Sequence, residues 1–165
     1  MGVQRASFKS VFSRRMQWLD GDLEEGCDFR LFGLTSHVGS HRLCWEMNRL
    51  LGWSLAYHME LVPDERAGDV RYVVHRYVSE DTGVDVALIA NRLPQSQLVS
   101  GLPRVDFLLR LGEDTEEVDQ IVRTIRGMRL VTLLAEVDPL KTGAYERVAF
   151  LDRPEDLRPL NHGLQ

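Results

Sequence analysis

The sequence predicts an α+β fold: a mostly antiparallel β-sheet with two helices packed on one face. Three observations predict it. Two segments repeat apolar residues at helical spacing, six others alternate them or run apolar at strand length, and three of those six are consecutive with only short turns between. The element order is β-α-β, meander, β-α-β, and a sheet with both helices on one side is its simplest packing. The opposite face must then be polar, or be buried by another copy of the chain. Trp53, Tyr57, Tyr72 and Tyr77, with a strand apolar on both faces near Leu130, favour another copy.

Phe29, Leu31 and Phe32 open the first strand, which Gly33 and Thr35-Ser36 bring to an end. From His37 to Leu51 the period becomes helical, with Leu43, Met47, Leu50 and Leu51 on one stripe. Gly52 stands where a helix ends in the left-handed conformation. Leu55, Tyr57, Met59 and Leu61 then share one face of a strand. Turns at residues 63–68 and 79–83 separate it from strands through Tyr72 and Val74 and through Val86 and Leu88, the latter ending at Asn91-Arg92. An irregular connection bounded by Leu93 and Arg104 leads to a strand at Val105, Phe107, Leu109 and Leu111. Asp114-x-x-Glu117 has the spacing of a capping box ahead of the stripe Val118, Ile121, Val122, Ile125. Residues 130–137, LVTLLAEV, read as a strand inside the sheet, covered on both sides or by a partner.

At 165 residues, 44% of them hydrophobic and 27% charged, the chain fits a single domain. That domain spans residues 16–152, between a basic leader over 1–15 and a polar tail over 153–165. A net charge of -5 disfavours a general nucleic-acid binder, because phosphate contacts need a basic face. No window approaches the roughly 20 apolar residues of a membrane-spanning helix, and two cysteines make no disulfide scaffold, so the expected setting is cytoplasmic. A nucleic-acid role confined to the leader, with Arg5, Lys9, Arg14 and Arg15, is a minor alternative.

Three blocks resemble the IPExxxVDY proteins, a small bacterial family. DFRLFGLTS precedes HRLCWEMNRLLG, which is similar to that family's LCWxLN helix and supplies Leu43, Cys44, Trp45 and Asn48. LVSGLPRVDF aligns with the naming motif through Val105, Asp106 and Phe107, and VDPLKTGAYERVAF is similar to the closing segment. Here Val99-Ser100-Gly101 stands where Ile-Pro-Glu is expected, so the motif glutamate is missing and the chain looks like a divergent member. The family has no assigned activity, so the resemblance implies a fold and motif positions rather than a reaction.

The sharpest chemical candidate is a metal site from His37, His41 and Cys44, spaced to share one helical face, with Cys27 as a fourth ligand. Against it, the spacing fits no established zinc pattern and Cys44 flanks the apolar stripe, so no metal or cofactor is assigned. Asp106 is the second candidate: as a buried strand carboxylate it would serve as a general base, or it accepts backbone hydrogen bonds and holds the loop after Leu93. With no second acid at Gly101, the structural role is preferred. His58 and His75, on neighbouring strands, are placed to meet as a pair, and Asn48 is read as bonding nearby backbone. The functional expectation is a non-catalytic interaction or structural module, homodimeric through its sheet. The rival is a small enzyme or ligand-binding domain with a pocket near Asp106, the loop 93–104 and His75.

Overall fold

The computed structural model describes residues 27–63 and 70–152, so the expected leader, the acidic bend at 20–26 and the tail from Arg153 lie outside the described residues. Strand β1 (Phe29–Ser36) leads to helix α1 (Ser40–Leu51), followed by β2 (Ala56–Leu61), β3 (Tyr72–Val78) and β4 (Asp85–Ala90). A small hairpin, β5 (Arg92–Leu93) and β6 (Ser96–Gln97), precedes β7 (Phe107–Gly112), α2 (Val118–Arg126) and β8 (Val131–Val137). A short α3 (Tyr145–Val148) then runs into a 3-10 turn (Ala149–Asp152). Six strands form one sheet in the order β2-β3-β4-β7-β1-β8, and every neighbouring pair is antiparallel. The α+β class and the meander are as the sequence predicts.

Strand alternation divides the apolar residues between two faces. Phe32, Leu34, Val86, Leu88, Leu109 and Leu111 face the helices and meet Leu43, Cys44 and Met47 of α1 and Ile121, Val122 and Ile125 of α2. Leu31, Val74, Ala87, Ile89 and Leu108 point the other way, against Leu98 and Val99 and against Ala144, Val148 and Leu151. The chain therefore covers its second face itself, with the loop after β6 and the C-terminal segment. The expectation of a face left polar or buried by another copy is corrected at this point. Trp53 and Tyr72, two of the aromatics that favoured a second copy, are buried within the chain.

Four local expectations also change. Gly33 does not end β1; it lies inside the strand, where an added Cβ would stand 2.8 Å from Cγ2 of Val105. A close approach, and not a turn, is what this glycine permits. In β2 the register shifts between Tyr57 and Met59, so the predicted single face splits. Met59 and Leu61 pack on the second face while Tyr57 is left exposed. The capping box does not form, because Glu117 adopts φ 57 at the start of α2 without a side-chain cap. Finally, β8 is an edge strand and not an interior one: Val131 and Leu134 join the helix-side core, while Leu133 is 55% exposed.

Side chains from the two helices close both ends of the sheet. The Leu34 carbonyl accepts from the Asp106 N–H on the β7 side, so the opposed pair Leu34 and Leu134 does not bond across β1 and β8. The Leu134 carbonyl consequently points off the edge, where Arg126 Nε of α2 donates to it at 2.9 Å. At the far end the Asn48 carboxamide of α1 accepts from the Leu55 N–H at 2.8 Å and donates to the Leu55 carbonyl at 3.1 Å, as a neighbouring strand would. Exposed edges recruit other strands, and such caps blunt them. Replacing Arg126 by Met is expected to cost about 1 kcal/mol in urea unfolding. It should also produce concentration-dependent self-association in light scattering; a variant that scatters like the native chain would show that the guanidinium does not guard this edge.

Candidate functional site

Asp106 lies where β1, β4 and β7 converge. Its Oδ2 accepts from the Ser36 N–H at 3.0 Å and its Oδ1 pairs with Arg92, while its carbonyl accepts from the N–H groups of Asn91 and Arg92. Both carboxylate oxygens are therefore engaged. Beside it, the fully buried Asn91 does more than its sequence position at a strand end suggested. Its amide nitrogen donates to the carbonyls of Leu102 (3.2 Å) and Val105 (2.7 Å), and its side-chain oxygen accepts from Val99 N–H at 3.0 Å. The Asn91 carbonyl also accepts from Leu98 N–H. One carboxamide thus fixes the loop that inserts Leu98 and Val99 into the second face. Gly101, where the resemblance expects glutamate, is the point of closest approach to the C-terminal segment. A Cβ there would begin 3.0 Å from the Thr142 carbonyl oxygen.

That C-terminal segment is joined to the sheet by a layer of charge. Arg76 pairs with Asp85 through two contacts of 3.1 and 3.2 Å and donates to the Leu151 carbonyl at 3.0 Å. Arg110, buried and at 3.4 Å from the same carboxylate, lies 4.8 Å over the Phe29 ring, which in turn stacks on Tyr145. Arginine suits this layer because its planar face packs while its edge bonds.

The histidines do not meet as predicted. The register pairs Tyr57 with His75, so alternation sends His58 to the opposite face, near Arg76 and Asp85, and His75 instead meets His41 of α1 edge-on, with ring centroids 5.3 Å apart. His75 is 2% exposed, and among the described residues neither of its ring nitrogens has a hydrogen-bond partner. It faces the helix side, so His75 and the loop 93–104 lie on opposite faces of the sheet and cannot share one pocket. Cys44 is buried in the helix-side core, where desolvation pushes its thiol up to about 12. Among the described residues no group of three or more His, Cys, Asp or Glu is placed to hold a metal ion.

Trp45 is the exception among the motif residues. It stands 64% exposed on the outer side of α1, at an open groove of about 460 Å³ between α1 and the α2–β8 connection. Leu50, Met128 and Leu130 supply the rest of its apolar wall, and Arg42, Arg49 and Arg129 surround it. Arg49 is held by Glu46 at 2.6 and 3.1 Å and lies 5.9 Å from the Trp45 ring centre. No helix of the described residues is long and apolar enough to cross a membrane. No family model, no curated protein and no solved structure matches this chain.

Two outcomes follow from the buried polar groups. Asn91→Ala leaves buried backbone groups without partners and is expected to cost about 3 kcal/mol in urea unfolding; a loss within the range of a surface substitution would refute the clamp. Burial, and secondarily His41, lowers the His75 pKa from its ordinary 6.5, and burial followed by Arg76, opposed by Asp85, lowers that of His58. The unfolded chain binds these protons near pH 6.5 while the fold resists them, so stability falls as pH drops below that value and stops falling below the folded pKa values. His75→Phe should flatten this slope, leaving the share of His58. A slope unaltered by the substitution would exclude His75 as its source.

Proposed function

We propose that this chain is a non-catalytic protein-interaction module that seats a partner on the outer face of α1, and that it is a divergent relative of the IPExxxVDY proteins. One observation supports the reading. Of the seven motif side chains, six have work in the fold and Trp45 has none. Leu43 and Cys44 fill the helix-side core, with Phe107 packed against it; Asn48 closes the β2 end; Val105 occupies the space beside Gly33; Asp106 binds the ends of three strands. An exposed indole forgoes burial worth roughly 2 kcal/mol, and Trp beside Arg, as Trp45 stands beside Arg49, is the composition of interface centres. The two free thiols, Cys27 and Cys44, accord with a cytoplasmic setting. The enzyme reading has less support, since the oxygens of Asp106 are engaged and His75 is on the other face of the sheet.

A homodimer through the sheet is the second reading, favoured by Leu133 on the β8 edge. Two copies would pair there by displacing Arg126 from Leu134, and Leu133→Lys would abolish a dimer seen by native mass spectrometry.

For the leading reading, Trp45→Ala is expected to change unfolding free energy by no more than about 0.5 kcal/mol. Proteins cross-linked to the full chain in its own cells should be lost from Trp45→Ala and retained by Tyr57→Ala, a control at another exposed aromatic. Destabilisation of the size seen at core positions would instead make Trp45 a folding residue and remove the basis of the proposal.

A further inference from the structure

We infer that the groove beside Trp45 receives an acidic segment of another protein bearing a bulky apolar side chain, an inference that rests on Trp45 being an interaction residue. The local charge is the first ground. Three arginines and one glutamate, Arg42, Arg49, Arg129 and Glu46, give the groove an excess of two positive charges in a chain of net charge -5. Glu46 is already taken by Arg49. Among the described residues neither Arg42 nor Arg129 has an ion pair within 4 Å, although Arg42 also acts on Glu46, so two guanidinium forks line the groove with bidentate capacity for carboxylates.

The floor is the second ground. Met128 is buried and Leu130 half-buried, and with Trp45 and Leu50 they make an apolar slot in the groove that the arginines also line. A thioether at its base adapts to aliphatic and aromatic side chains alike. A purely polyanionic partner would leave this slot unused.

The same features select against other occupants. A second copy docking by the same patch would set arginines against arginines, which like-charge repulsion disfavours. A single-stranded nucleic acid needs open aromatic faces for its bases, and one face of Trp45 has Arg49 over it. The negative charge of the whole chain further disfavours a long polyanion.

The test is fluorescence anisotropy of the full chain with four labelled probes: a short peptide alternating Glu with Leu and Phe, its Gln-for-Glu twin, its Lys-for-Glu twin, and an oligothymidylate. The Glu peptide should bind about tenfold or more tighter than the Gln twin at low salt, an advantage that shrinks as salt screens it. The Lys twin should not bind. Trp45→Ala should abolish binding, and the pair Arg42→Gln with Arg129→Gln should make the Glu and Gln peptides equal. Arg129→Glu, a surface reversal with the thermal midpoint as its folding control, should move preference toward the Lys twin. If Glu and Gln peptides bind the native chain equally and both need Trp45, the acidic inference falls while the interaction reading stands. If no peptide binding depends on Trp45, the acidic inference falls, and the cross-linking comparison alone decides the interaction reading. Oligothymidylate binding tighter than the Glu peptide would overturn the assignment in favour of nucleic acid.

Discussion

A sheet with apolar side chains on both faces must find cover for both, and here the second cover hangs on the Asn91 carboxamide. Leu98 and Val99 belong to no long strand or helix, so they have no ladder of their own to position them. Asn91 supplies the missing backbone partners from inside, donating to Leu102 and Val105 and accepting from Val99. A buried amide with these bonds made is a rigid joint, and the same amide with them missing would be a costly defect. Asp106, one strand over, makes the adjoining joint with Ser36 and Arg92. The loop, the start of β7 and the end of β1 therefore stand or fall together.

This arrangement explains how the motif residues came to look like a site. Asp106 beside an irregular loop has the appearance of a general base, yet its two oxygens are committed to an N–H and a guanidinium. Asn48 inside a helix bonds nearby backbone, as its sequence position suggests, and serves as a short stand-in for a seventh strand at Leu55. Polar residues that fold a chain and polar residues that act on a ligand draw on the same chemistry. Partner geometry separates them, and it leaves the exposed Trp45 outside the set that folds the chain.

Periodicity made the α2 stripe, the α1 stripe except for the exposed Leu50, the meander and the Gly52 terminus legible, because each is a local pattern with one physical cause. The left-handed φ of 70 at Gly52 is a case in point. What sequence could not convey was spatial order. LVTLLAEV reads the same whether its strand lies at an edge or in the middle, and the position of β8 depends on α2 returning it beside β1. The bulge at His58 was equally hidden, since one unpaired residue reverses the facing of all that follows while leaving the alternation intact. The separation of His58 from His75 has another cause, the register that pairs Tyr57 with His75 and so points His58 to the opposite face. Of the candidate residues, Trp45 could be named from its motif, but its exposure depended on which helical face met the sheet.

The two groups that close the sheet's ends, Asn48 and Arg126, both belong to helices and not to the strands they protect. Protection of the edges thus depends on both helices being docked. A sheet formed before its helices dock would present Leu55 and Leu134 bare, and a native chain whose helices detach would present them again. The species most prone to aggregate is then one with an intact sheet and loosened helices.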